Sequence, residues 1–174
     1  DKIVEEKDEE KMCPLAKLKD LLKWSNDYGK DEEWFDRYGI GIVFYAAVQN
    51  NYEAIQKLIQ NLEDVVMDTN IKKKSLLSCI PSGGVAEFGL IEGMTSLDAA
   101  MIYSSFEIVD VLLRAGINPF ETNNTEKIDS FQFACCASRK DNVKMWLERF
   151  QGYNPKRKNA LGLSALHMGA RFGV

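Results

Sequence analysis

The sequence predicts an all-α fold made of short paired helices in repeated units, and three observations carry that prediction. The segment Gly162-Leu163-Ser164-Ala165-Leu166-His167-Met168-Gly169 repeats the character of Gly93-Met94-Thr95-Ser96-Leu97-Asp98-Ala99-Ala100, which lies 69 residues earlier. Apolar residues recur at three- and four-residue spacing over two short stretches, first Leu97, Ala100 and Met101, then Ile108, Val109, Val111 and Leu112. Helices this short are unstable alone and must be stabilised by packing. Small residues at Ala46, Ala47, Ala99 and Ala100 let paired helices approach closely, and Gly116 can take the left-handed conformation that closes a helix.

Residues 1–38 form an acidic N-terminal segment and a capping helix. Residues 1–11 are charged and predicted to be disordered. Between Pro14 and Trp24, Leu15, Leu18, Leu21 and Leu22 fall on one helix face and Lys17, Lys19 and Lys23 on the other. With Trp34, Phe35 and Tyr38, this helix is expected to cover the open start of a repeat array, a partner-binding helix being the alternative. The first unit, 39–61, emerges by superposing Asn51 to Ile59 on Ser105 to Leu113, which sets Ala46 under Ala100 and Val43 under Leu97. An insertion over 62–91 follows, with Lys72-Lys73-Lys74, Leu76-Leu77 and Pro81-Ser82-Gly83-Gly84 inside it. Insertions in repeat proteins map to loops on one face, often the binding face, and a solvated loop is the other reading.

The second unit spans 92–118, with Thr95 placed to cap its first helix. In the third, 127–153, Ser130-Phe131-Gln132-Phe133-Ala134 begins the first helix and Val143-Lys144-Met145-Trp146-Leu147 forms the second. The fourth, 160–174, opens with Ser164 as its capping residue and stops at Val174. Asn118-Pro119 and Asn154-Pro155 read as extended turn segments between units.

Gly93 to Ala100, Phe106-Glu107-Ile108-Val109-Asp110-Val111-Leu112-Leu113-Arg114-Ala115-Gly116 and Gly162 to Gly173 resemble the ankyrin-repeat family. They match its G-x-T-P-L-x-x-A start, its h-E-I-V-x-x-L-L-x-x-G second helix and its T-P-L-H-x-A opening, and the family's period is roughly 33 residues. The resemblance covers residues 39–174. It implies an ankyrin-repeat solenoid of stacked helix-turn-helix units with an N-terminal capping helix and one long insertion. It also implies that the chain ends inside its own array, with further repeats or domains after Val174 and with Leu166, Met168 and Phe172 lacking the helix that should cover them.

Ankyrin repeats bind proteins through hairpin tips and a concave face of first helices, so the resemblance nominates residues by position. In the second unit these are Ile91, Glu92 and Met94 at the tip and Ile102 and Tyr103 at the end of the first helix. In the fourth they are Ala160, Leu161 and Leu163, then Arg171 and Phe172. The series is unusually apolar, which marks a protein-binding surface unless the 62–91 insertion folds over it. His167 fills the family's histidine slot, which implies a hydrogen-bonding role within the turn. The basic run Lys156-Arg157-Lys158 before the fourth unit contrasts with Glu121 and Glu126 before the third; it is either solvated or steers an acidic partner.

Composition narrows the remaining classes. A chain of 174 residues with 45% hydrophobic and 28% charged residues is ordinary for a soluble domain, and a net charge of −4 argues against nucleic-acid binding. No apolar run approaches the roughly 20 residues of a membrane helix, and the charged start lacks a secretory signal. Cys13, Cys79, Cys135 and Cys136 show no zinc-site spacing and are expected to be reduced, with Cys135 and Cys136 buried, in a cytoplasmic setting. The triplet Asn123-Asn124-Thr125 matches a glycosylation sequon, a pattern common by chance. No phosphate-binding, dinucleotide or nucleophile-elbow motif is present, and the scattered carboxylates form no acid–base pair. The sequence therefore points to a non-catalytic protein-interaction module without cofactor or metal. The alternatives are a regulatory or docking segment of a larger enzyme or channel, and a structural subunit of an assembly.

Overall fold

The computed structural model describes residues 41–64 and 91–172, and among them every regular element is a helix. These are α1 (Ile42–Val48), α2 (Tyr52–Asp64), α3 (Ser96–Tyr103), α4 (Phe106–Arg114), α5 (Ser130–Cys136), α6 (Lys140–Arg149) and α7 (Ala165–Phe172). The capping helix expected over Pro14 to Trp24, Trp34, Phe35, Tyr38, and Lys72-Lys73-Lys74 lie outside the described residues.

Local chemistry starts two of these helices the same way and a third with half of the arrangement. Before α3, Thr95 Oγ1 accepts the Asp98 N–H at 3.2 Å while Asp98 Oδ2 accepts the Thr95 N–H at 2.8 Å. Asp129 and Gln132 repeat the arrangement before α5, at 2.9 and 3.4 Å. At the start of α7, His167 Nδ1 lies 3.3 Å from the Ser164 N–H. Each pair satisfies amide groups that the first helical turn leaves without internal partners. Two residues before each of these capping residues the backbone is left-handed, at Gly93 (φ 80), Lys127 (φ 54) and Gly162 (φ 73). Gly93 also has no room for a side chain, since a Cβ there would fall 2.4 Å from the Asn123 carbonyl oxygen.

Helix ends recur too. After α4, Gly116 (φ 97) donates to Leu113 O at 3.1 Å and Ile117 to Leu112 O at 3.3 Å, the paired bonds of a left-handed helix stop. Asn50 and Ser138 close α1 and α5 with the same pair of bonds. Asn51 Oδ1 then accepts the Ala54 N–H at 3.0 Å and starts α2.

The helices pack in two rows: α1 against α3, α3 against α5 and α5 against α7; and α2 against α4, α4 against α6. Within each unit α1 meets α2, α3 meets α4 and α5 meets α6. Between the rows lies one apolar core whose largest fully buried side chains include Trp146, Phe44, Leu97, Met101 and Ile108. Polar links cross from unit to unit. Asn142 Nδ2 donates to Met101 O at 3.1 Å and Ser104 O at 2.9 Å, and Ser130 Oγ donates to Asp98 Oδ1 at 2.6 Å. Ser104 Oγ donates to Ala47 O, and Asp110 on α4 binds both Arg114 and Arg149 of α6.

Candidate protein-binding surface

In the first-row helices α1, α3 and α5 the start is buried and the end opens to solvent, while α7, which meets only α5 in this row among the described residues, is exposed over much of its length. In α1, Ile42 to Ala47 are buried while Val48 and Gln49 open partly to solvent. In α3, Ser96 to Met101 are buried, Ile102 is half-buried and Tyr103 is 38% exposed. In α5, Ser130 to Ala134 are buried and Cys135, Cys136 and Ala137 are half-exposed. At the end of α7, Arg171 and Phe172 are exposed, the Phe172 ring at 51% and under the Arg171 guanidinium at 5.0 Å. The capping residues Thr95, Asp129 and Ser164 set the register, which places Tyr103, Ala137 and Phe172 at corresponding positions, and Ile102, Cys136 and Arg171 one position earlier. The open ends of successive helices in the row are therefore mostly apolar and make one strip of the surface by their register. Ala137 and Cys136 were not nominated from sequence, although carrying the spacing of the capping residues forward from Tyr103 and Ile102 would have found them.

The loops before α3, α5 and α7 border this row. Ile91 is half-buried and its N–H points at Met94 Sδ, 3.4 Å away, while Glu92 is exposed. Met94 corrects the reading of this loop: at 2% exposure it is a core residue, because the capping turn at Thr95 directs its side chain between the helices. Leu163 is half-buried against the core, and Ala160 and Leu161 are exposed, Leu161 at 59%. Lys156, Arg157 and Lys158 are exposed together on the loop between α6 and α7.

Two further expectations change. Met168 is buried at 3%, on a helix that packs against α5, so of the three apolar residues expected to be uncovered on α7 only Leu166 (81%) and Phe172 (51%) are exposed. Cys135 and Cys136 are free thiols, yet half-exposed instead of buried, because they occupy the end of α5 where the row opens. Partial burial still pushes the Cys135 thiol up to about 11, so it stays protonated at neutral pH.

The polar chemistry of this region serves structure. Ser164 Oγ lies 2.7 Å from His167 Nδ1, a spacing that resembles a nucleophile–base pair. The same nitrogen accepts the Ser164 N–H, which ties the imidazole to the start of α7. Asp98 is buried at the junction of two units, and desolvation raises its carboxyl to about 6 against the opposing hydrogen bonds from Ser130 and Thr95. The Tyr153 hydroxyl donates to Asp129 Oδ2 at 2.8 Å; burial, then the charge of Asp129, raises its pKa and keeps it neutral. Tyr153 also joins Phe120, Phe131, Trp146 and Phe150 in an aromatic cluster that closes the third unit. Among the described residues, no group of three His, Cys, Asp or Glu side chains could hold a metal ion, and no helix is long and apolar enough to cross a membrane.

A scan of protein-family models finds no match to the chain, and a search of curated proteins finds none either.

Proposed function

We propose that the chain is an ankyrin-type solenoid acting as a non-catalytic protein-interaction module, which binds a protein partner through the strip of first-helix ends and the loops beside it. One observation carries this reading: successive helices leave the same two positions open, so Ile102, Tyr103, Cys136, Ala137, Arg171 and Phe172 offer partly exposed, largely apolar surface across three units. An apolar band with Arg and aromatic residues has the composition of the buried centre of a protein interface. The free thiols accord with a reducing, intracellular setting.

The test is site-specific photo-cross-linking in the cells that make the chain. A cross-linking residue at position 103 or 137 should give a discrete adduct, whereas one at position 147 should not. Leu147 is the matched control, 38% exposed like Tyr103 but on α6 in the second row. Equal labelling from all three positions would overturn the proposal.

A further inference from the structure

The basic loop between α6 and α7 has a chemistry that the apolar strip does not explain. Its backbone is held in place at several points. Lys156 N–H donates to Asn154 Oδ1 at 3.0 Å and Arg157 N–H to Asn154 O at 3.0 Å. Leu161 and Leu163 N–H both donate to Asn159 Oδ1 at 3.0 Å, and Ala160 N–H donates to Glu126 O of the preceding loop at 2.7 Å. Gln132 Nε2 reaches the Arg157 carbonyl at 3.1 Å. A loop ordered this way loses little conformational entropy when a partner docks on it.

Its three cations are not equivalent. Arg157 turns toward the buried Asp129, with Nη1 3.9 Å from Oδ2. Lys156 and Lys158 are exposed and form no ion pair among the described residues. Some cations elsewhere are engaged: Arg114 and Arg149 share Asp110, and Lys144 faces Glu148 at 4.0 Å. Beside the two free lysines stands Leu161, 59% exposed. In the register of the units, Lys156 corresponds to Glu121 of the preceding loop and Leu161 to Glu126. The charge therefore reverses at one of these equivalent places, and at the other a carboxylate gives way to an apolar side chain.

We infer that the loop spanning residues 154–163 docks an acidic segment of the protein partner, with Lys156 and Lys158 pairing its carboxylates and Leu161 contacting an apolar side chain between them. The inference rests on the protein-binding reading above and specifies the chemistry of the partner. Glu121 and Glu126 repel the same segment from the preceding loop, which fixes where along the array it lies. A nucleic acid fits poorly, since two free lysines neutralise too few phosphates and a regular phosphate chain would run past those glutamates.

The inference can be tested by fluorescence anisotropy with a labelled peptide of alternating Glu and Leu, a Lys–Leu peptide and a single-stranded DNA as probes of the whole chain. The Glu–Leu peptide should bind saturably, the Lys–Leu peptide should not, and the DNA should bind more weakly. Lys156→Glu with Lys158→Glu should weaken peptide binding at least about tenfold, and raising ionic strength from about 0.05 to 0.5 M should weaken it strongly, as screening of exposed pairs requires. Leu161→Ala should cost several-fold. The reversal of Lys57 and Lys140, exposed on α2 and α6, matches the change in net charge and should leave the affinity within about twofold. Absence of saturable peptide binding, equal loss in the Lys57 and Lys140 control, or tighter binding of DNA would each overturn the inference. Specific cross-linking from positions 103 and 137 that persists while peptide binding fails would sink this inference alone. Absence of that cross-linking in the unaltered chain would sink the reading beneath it.

Discussion

Gly93 illustrates how much a single position can demand. It needs a left-handed backbone, at φ 80, and it needs the space where a Cβ would strike the Asn123 carbonyl at 2.4 Å. Gly162 shares the first demand, at φ 73, but faces open space. Gly93→Ala should therefore destabilise the chain by more than about 2 kcal/mol and Gly162→Ala by only about 1 kcal/mol, measured by denaturant unfolding. Equal costs would show that the close approach to Asn123 carries no energy. Asp98 poses a charge problem instead. Its carboxyl, ordinarily near 3.8, is raised to about 6 in the fold, so the folded chain binds the proton more tightly than the unfolded chain. The associated stability is present below about pH 4 and is lost as pH rises through 6, a difference of about 3 kcal/mol for a shift of about two units. Asp98→Asn keeps the hydrogen-bonding shape without the titration. The stability difference between the two proteins should thus change between pH 4 and 7; a constant difference would place the Asp98 titration elsewhere.

At the scale of elements, α3 and α5 in the first row depend on the side chains that start them, whereas α1 begins at Gly41 without one. Asp129 does three things: it caps α5 through the Gln132 N–H at 2.9 Å, accepts the Tyr153 hydroxyl and faces Arg157. Removing the cap costs about 1 kcal/mol, and leaving a largely buried hydroxyl unpaired costs about 1–3 kcal/mol more. Asp129→Ala should lower unfolding stability by about 2–4 kcal/mol, whereas Tyr153→Phe in that background should recover part of the loss. Failure of that recovery would separate the two roles. Leu112 on α4 is fully buried between the rows, and Leu112→Ala should cost about 2–5 kcal/mol by opening a cavity. A cost below about 1 kcal/mol would mean that α4 does not pack as a core helix.

At the scale of the molecule, the described helices pack on their neighbours in two rows. Where contacts run mainly between adjacent units, surface changes stay local. Tyr103→Ala combined with Phe172→Ala should leave far-UV circular dichroism and the unfolding midpoint nearly unchanged, since both side chains are substantially exposed, yet reduce cross-linking from position 137. A large fall in stability would identify them as packing residues. Much of this arrangement could be read beforehand. The segment Ser130 to Ala134 does begin a helix, and Thr95 does cap one, because capping and apolar spacing are local properties. The Asp129 and Gln132 capping pair was equally legible, since a capping residue followed three positions later by Gln is a local signal, but the third unit reads as a helix only from Ser130 when it is aligned by its apolar residues.

The sequence by itself determined the helical character, the small residues that allow close pairing and the spacing of the turns, since each is written in a few consecutive residues. Only the tertiary structure decided which apolar positions are free. Met94 and Tyr103 were equal nominees, yet one is 2% and the other 38% exposed, and Met168 is covered while Leu166 is not. Burial is a property of the neighbouring unit, whose approach no local pattern encodes. The same reason separates Arg157, held by a buried carboxylate from another element, from Lys156 and Lys158 beside it.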